Sequence, residues 1–216
     1  MNYNPAFAKT MERLLSGEVI CEIAYREGFD LLNDPRQFTL INDTLTHMGR
    51  RLAKTEDDVG YYAVYRDLND PGLRRSIQNR FARIAGDWEP LCHWLKLTRK
   101  ISHDRYPIHA GDTLSLSGLL ASVEDSVSSQ KDVEKIARRF KISTRKDTKG
   151  QLEGILKHLE EEGYLVPYGA SGASYKATSR WSLLMEMMTY IQRQEGILAE
   201  EVAEEEMTDE PQGGLF

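Results

Sequence analysis

Along the first fifty residues, apolar positions recur with the spacing of amphipathic helices. Asn4 followed by Pro5 combines a preferred N-cap residue with a preferred first helical residue. The apolar side chains behind them share one helix face, at i, i+4, i+7 and i+8: Phe7, Met11, Leu14 and Leu15. The pattern predicts a helix that ends near Gly17, a second helix through residues 19–24 and a third after Pro35.

After residue 50 the pattern changes to that of a β-hairpin. The segment that starts at Arg51-Leu52-Ala53 leads into a charged turn that ends at Gly60. The run behind this turn, Tyr61-Tyr62-Ala63-Val64-Tyr65, is rich in aromatic and β-branched residues. Helices followed by one hairpin is the element order of a winged-helix domain, which we expect to span residues 1–70.

A second set of elements starts at Asp70-Pro71, which repeats the cap-then-proline signal. We expect Gly86 and Pro90 to bend or break its first helix, and a turn-rich segment to follow at 103–112. Two short helices come next, then a third helix capped by Asp147 or Thr148 that ends at Gly163, then a hairpin over residues 164–178. The repeated order predicts tandem winged-helix domains, 1–70 and 71–196, in a mainly α fold with small β-hairpin wings (α+β).

The charged residues are distributed unevenly along the chain, and this bears on the predicted domains. The 216 residues carry 28 Lys and Arg against 34 Asp and Glu, a formal net charge of −6. Residues 197–216 hold seven acids and no base, so the remainder has 28 bases against 27 acids. We expect a disordered acidic tail over 197–216. The nearly neutral body is compatible with DNA binding.

The residues needed for catalysis are not grouped in this sequence. The five histidines lack metal-ligand spacing, and the glycines around residue 170 lack the Lys of a phosphate-binding loop. Both cysteines lie in apolar helical contexts. We therefore expect no catalytic residue, no metal, no cofactor and no enzymatic activity. No apolar run reaches the roughly 18 residues of a membrane span, and no leader pattern precedes residue 5, so the sequence predicts a cytoplasmic protein.

One group of charges exceeds the background. Six bases within twelve residues are opposed only by Asp147 and lie at the turn into the third helix of the second predicted domain: Arg138, Arg139, Lys141, Arg145, Lys146 and Lys149. In helix-turn-helix proteins this helix enters the major groove with its N-terminal residues nearest the bases. The cluster predicts weak DNA binding without sequence choice, and its alternative interpretation is a solvated basic surface.

The tyrosines of the first hairpin suggest a contact with another protein. Alternation along the strand turns Tyr62 and Val64 toward the domain core and leaves Tyr61 and Tyr65 on the other face. Exposed aromatic residues on an edge strand favour protein contacts, so we predict Tyr61 and Tyr65 as partner-binding residues. Scattered surface tyrosines are the alternative.

Four features taken together resemble one known family. They are Leu14-Leu15-Ser16-Gly17 at the end of the first helix, the first hairpin, the helix Gln151 to Gly163 with its following hairpin, and the terminal Glu204-Glu205-Glu206. In these features, in the order of its elements and in its size, the chain resembles the MukE/MksE family of bacterial condensin subunits. Members of this family are kleisin-interacting tandem winged-helix proteins. The shorter MksE-like branch is the better match.

The resemblance implies a nucleoid-associated homodimer without catalytic activity. It would bind an extended segment of a kleisin subunit (MukF/MksF-like) and, through the kleisin, the ATPase heads of an SMC-like protein (MukB/MksB-like). Its role would be chromosome organisation and segregation or defence against plasmids. A winged-helix DNA-binding transcription regulator is the alternative, and a plasmid replication initiator or an enzyme are remoter ones.

Overall fold

A computed structural model describes residues 4–69, 71–102, 106–170 and 172–193 of the chain, without the side chains of residues 80, 81 and 83. The chain divides into two compact units, Met1–Ser182 and Leu183–Phe216. The first unit is mostly helical and contains two small antiparallel sheets of three strands each. The prediction of a mainly α fold with small β elements is confirmed at this level. In the second unit residues 183–193 are helical, and the predicted acidic tail lies outside the described residues.

The N-terminal half of the first unit, residues 4–69, contains three helices and three strands. They are α1 (Pro5–Ser16), β1 (Ile20–Cys21), α2 (Glu22–Asn33), α3 (Pro35–His47), β2 (Arg50–Lys54) and β3 (Gly60–Tyr65). The ends of α1 are as predicted. The Asn4 side chain accepts the N–H of Phe7 at 3.2 Å, and Gly17 ends the helix at φ 90°. The sheet has the strand order β1-β3-β2.

The second predicted helix starts later than expected. Ile20 and Cys21 form β1, opposite Tyr61 and Gly60 of β3, and α2 begins at Glu22. The prediction of a helix through residues 19–21 is therefore wrong. A two-residue strand is too short to show alternation, so its apolar residues merge with the period of the helix behind it.

The C-terminal half of the first unit, residues 71–182, has a similar plan. Its elements are α4 (Arg74–Ile101), β4 (Thr113–Ser115), α5 (Leu116–Glu124), α6 (Val127–Arg139), α7 (Thr148–Glu161), β5 (Leu165–Pro167) and β6 (Ser174–Ala177). The predicted helices and hairpin are present, Asp147 caps α7, and Gly163 follows α7 at φ 76°. Strand β4 was not predicted. It gives the sheet the order β4-β6-β5.

The first helix of this half does not break. α4 continues from Arg74 to Ile101 with Pro90 inside it, so a break at this point is wrong, and a bend stays a prediction. A proline ring crowds the carbonyl four residues earlier, which here belongs to Gly86. Gly86 is exposed, and carbonyl groups on the solvent side of a helix can tilt toward water without ending the helix.

The two halves have separate cores. Leu14, Ile20, Ile41 and Leu45 are fully buried in the N-terminal half. The largest fully buried side chains of the C-terminal half include Trp94, Ile136, Leu152, Ile155, Leu156 and Trp181. The predicted domain boundaries after residues 70 and 196 stay predictions.

The first hairpin touches the C-terminal half at its turn. A Cβ on Gly60 would overlap the side chains of Ser179 and Val19, so the backbone at Gly60 lies directly against Ser179. Nearby, Asp57 contacts Ser182. Burial acts to raise the pKa of Asp57, but hydrogen bonds from Ser182, Thr55 and the Val59 backbone outweigh it and hold this pKa below its ordinary value. The hairpin turn thereby joins the halves.

Candidate nucleic-acid interface

The six predicted DNA-binding residues lie on exposed surface around the connection between α6 and α7. Arg138 and Arg139 end α6, Lys141 follows it, Arg145 and Lys146 lie in the connecting loop, and Lys149 is in the first turn of α7. All six side chains are exposed. The basic cluster is thus accessible to a ligand.

The connecting loop is held by the first turn of α7. The Asp147 carboxylate accepts the Gly150 N–H at 2.8 Å and caps the helix. The buried amide of Gln151 donates to the carbonyl oxygens of Lys146 at 2.8 Å and Thr144 at 3.4 Å. The backbone on which Arg145 and Lys146 lie is therefore fixed by α7 itself.

Three of the six bases face acids of this chain. Arg138 lies 2.8 Å from Glu134, Arg139 lies 3.0 Å from Glu89 of α4, and Lys149 lies 3.9 Å from Glu153. These pairs are exposed, and exposed pairs contribute about 0–1 kcal/mol each, so a phosphate can compete for these bases. The other three, Lys141, Arg145 and Lys146, form no ion pair with a residue that the structure describes.

Two functional candidates were missed by the sequence reasoning. Lys131 and Lys135 line the same surface cavity, of about 620 Å³, as Glu134, Arg138, Arg139 and Lys141. Both are exposed, and neither pairs with a described acid. A helical projection could have found them, because Lys131, Lys135 and Arg138 stand at i, i+4 and i+7 of α6. We call the four residues Lys131, Lys135, Arg138 and Lys141 the α6 surface.

The outward face of α7 has a different charge pattern. Along it, bases and acids alternate at i, i+4 spacing: Lys149, Glu153, Lys157 and Glu161. Lys157 and Glu161 lie 3.8 Å apart, as Lys149 and Glu153 lie 3.9 Å apart. This face is close to neutral beyond the basic first turn.

Tyr61 does not have the exposure predicted for a partner-binding residue. Its side chain is only 5% exposed, and its ring packs at centroid distances of 5.8 Å from Phe29 and 6.1 Å from Phe38. Its hydroxyl donates to Asn33 at 2.8 Å. The prediction that Tyr61 faces outward is wrong, because α2 and α3 pack on the face of β3 that carries it.

Tyr65 lies further along the same face but at the rim of the sheet. It is half-buried, and the Arg50 guanidinium lies over its ring at 4.5 Å from the centroid. Its hydroxyl lies 3.2 Å from Arg50 and 3.3 Å from Ser76. Tyr65 therefore keeps partly accessible ring surface, and its role in partner binding stays a prediction.

Groups suited to catalysis are dispersed in the described part of the chain. Among the described residues, no three His, Cys, Asp or Glu side chains converge on a possible metal position. Burial raises the pKa of the Cys92 thiol despite the nearby Lys96, which keeps this thiol protonated and weakly nucleophilic near neutral pH. Within the same residues, we find no helix with the length and apolar character needed to cross a membrane.

Comparisons of this chain with models of protein families, with curated proteins and with solved structures find no match. The functional argument therefore depends on the geometry of the chain itself.

Proposed function

We propose that this chain is a non-enzymatic accessory subunit of an SMC-type bacterial condensin of the MukE/MksE kind. It binds the kleisin subunit as a homodimer, reaches the SMC ATPase through the kleisin, and adds weak DNA contacts of its own. Its place is the nucleoid in the cytoplasm, and its process is chromosome organisation and segregation or plasmid defence.

The repeated strand order carries this proposal. In each half of Met1–Ser182, a short strand precedes the helices and pairs with the last strand of the hairpin, which gives β1-β3-β2 and β4-β6-β5. The N-terminal half has the element order of a winged helix, in which one helix precedes the short strand and two helices lie between this strand and the hairpin. The C-terminal half has the same strand order with one more helix between β4 and the hairpin. The repetition supports tandem winged-helix domains, the fold on which kleisin-interacting subunits are built.

Tyr65 and its surroundings support the partner contact. Its ring is half-buried at the rim of the sheet, under the Arg50 guanidinium. Partly exposed aromatic side chains are enriched among the residues that anchor protein partners. We propose Tyr65 as an anchor for the kleisin and withdraw Tyr61 because it is buried.

The test is purification of the tagged chain from its source cells, followed by mass spectrometry. We expect a kleisin and a large coiled-coil SMC ATPase to co-purify, and Tyr65→Ala to reduce both together. Light scattering of the chain alone should give about twice its 24.7 kDa. Recovery without either protein, together with a monomer mass, would contradict the proposal.

One observation favours a transcription regulator as the second candidate. The bases at the first turn of α7 occupy the position from which a recognition helix contacts DNA. Selection on a random duplex pool separates the two functions. Enrichment of a single sequence motif would favour the regulator, whereas binding without enrichment fits the condensin subunit.

A further inference from the structure

The outward face of α7 is poorly suited to lie in the major groove of DNA. Its exposed bases and acids alternate, so that Glu153 and Glu161 offset the charges of Lys149 and Lys157. An inserted helix would bring these carboxylates next to the phosphates and base edges, where like charge is repelled. On the preceding helix, the face with Lys131, Lys135 and Arg138 carries a single acid, Glu134, and is therefore net positive.

The α6 surface presents bases in a regular line. At about 1.5 Å per residue, Lys131 and Arg138 are about 10 Å apart along the helix axis. One DNA strand advances about 3.4 Å per phosphate along its duplex, so this distance corresponds to about three phosphates. Glu134, the acid within this line, is already engaged by Arg138.

The residue that ends this line has an unusual backbone. Lys141 adopts the left-handed conformation, at φ 59°, directly after α6. The equivalent positions after α1, α3 and α7 are glycines: Gly17 at φ 90°, Gly49 at φ 70° and Gly163 at φ 76°. The helix ends at Lys141 and Gly163 also share a backbone hydrogen bond. After α6 the N–H of Ile142 donates to the carbonyl of Ala137, and after α7 the N–H of Tyr164 donates to the carbonyl of Leu159, both at 2.8 Å.

Glycine adopts this conformation without strain, whereas lysine does not. The chain thus uses glycine at three of these four helix ends and accepts a strained lysine where the basic line ends. A positive charge at this point accounts for the difference, since glycine would satisfy the backbone better.

We propose that duplex DNA lies along α6, held through its phosphates by Lys131, Lys135, Arg138 and Lys141, while α7 stays outside the major groove. This inference rests on the DNA contact in the proposed function and deepens it. Phosphate contacts carry no base information, so the path along α6 also explains binding without sequence choice.

The experiment is a salt titration of binding to unrelated duplexes by the full chain. The slope of log K against log salt is negative, and each lost phosphate contact makes it less steep by about 0.9. The triple variant Lys131→Ala/Lys135→Ala/Lys141→Ala should therefore make it less steep by about 2.7. A matched control removes three exposed bases of the N-terminal half, Arg26, Arg36 and Arg51. This control changes the net charge equally and should leave the slope unchanged.

Lys141→Gly provides a second readout that a purely structural lysine would not give. Glycine relieves the backbone strain, so the melting temperature should rise while the slope falls by about 0.9. A higher melting temperature with an unchanged slope would overturn the role of Lys141 and with it the end of the proposed line.

A third variant distinguishes the two possible DNA paths. If Arg145→Ala/Lys146→Ala/Lys149→Ala lowers the slope and the α6 triple variant does not, DNA contacts the loop and α7, and the α6 path is wrong. Wild-type protein without measurable duplex binding would also overturn it. The condensin assignment is tested separately by the purification experiment. Recovery of the chain without a kleisin or an SMC ATPase would contradict that assignment and would leave the DNA path untouched.

Discussion

The N-terminal and C-terminal halves of Met1–Ser182 share a strand order but differ where their last two helices meet. In the N-terminal half, only Asp34 separates α2 from α3, and its carboxylate accepts the N–H groups of Arg36 at 2.9 Å and Gln37 at 3.0 Å. In the C-terminal half, residues 140–147 separate α6 from α7 and carry Lys141, Arg145 and Lys146. One strand order thus occurs with a tight acidic cap in one half and an extended basic surface in the other.

The difference shows that strand order alone does not determine the surface chemistry of a half. The short connection leaves no room for side chains that could contact a ligand, and the exposed face of α3 is mixed, with Arg36, Asp43 and the apolar Leu40. The long connection provides that room. This difference agrees with the proposal that DNA contacts the C-terminal half and that a protein partner contacts the N-terminal half.

The strongest test of this division concerns the core of the N-terminal half. Tyr61→Ala should lower the free energy of unfolding by about 3–5 kcal/mol, because it removes a buried aromatic side chain. Tyr61→Phe, which removes only the hydroxyl bonded to Asn33, should cost about 1 kcal/mol. Urea denaturation followed by circular dichroism measures both. Tyr65→Ala is the matched control, and an equal loss for the two alanine variants would refute the assignment of Tyr61 to the core.

The next test breaks the contact between the halves. Gly60→Ala should cost about 1–3 kcal/mol, since the added methyl group overlaps Ser179. Ser179→Ala removes one of the overlapping atoms and should recover part of this loss in the double variant. Gly86→Ala is the matched control, because nothing lies near its Cβ position, and it should be neutral or stabilising. Equal effects at Gly60 and Gly86 would mean that the hairpin turn does not press against Ser179.

The smallest expected effect is a pH dependence at the same contact. The pKa of Asp57 is held below its ordinary value, so its charged form stabilises the folded state above its unfolded pKa of about 3.9. This stabilisation is lost as the pH falls through the lower folded-state pKa. Melting temperatures from pH 7 to pH 3 should therefore show a difference between wild type and Asp57→Asn that shrinks below about pH 4. Asp43→Asn, at an exposed acid of α3, serves as control, and the same pH dependence there would remove Asp57 from the contact.

Local signals in the sequence were sufficient to predict most helices and both hairpins. Asn4, Gly17, Asp147 and Gly163 act through hydrogen bonds and dihedral angles within a few residues of themselves, so their sequence positions carry the information. The short strands β1 and β4 do not, because each forms only by pairing with a strand that lies at least 39 residues later.

The candidate site was predicted only in part, because some of its residues are brought together only by folding. The basic cluster was found as a run in the sequence, but Lys131 and Lys135 join it only on the surface of a folded helix. Tyr61 was misplaced because alternation separates the two faces of a strand without saying which face the helices cover. The strain at Lys141 is a backbone property that no composition or period reveals.

The contact between Gly60 and Ser179 also bears on the order in which the chain folds. The two residues are more than a hundred positions apart, so the loop they close is among the longest in the chain. Each half can build its own sheet from closer contacts, so we expect the contact between Gly60 and Ser179 to form after both sheets. Interactions made after the folding transition state control the unfolding rate rather than the folding rate. We therefore expect the contact at the turn of the first hairpin to slow unfolding more than it speeds folding.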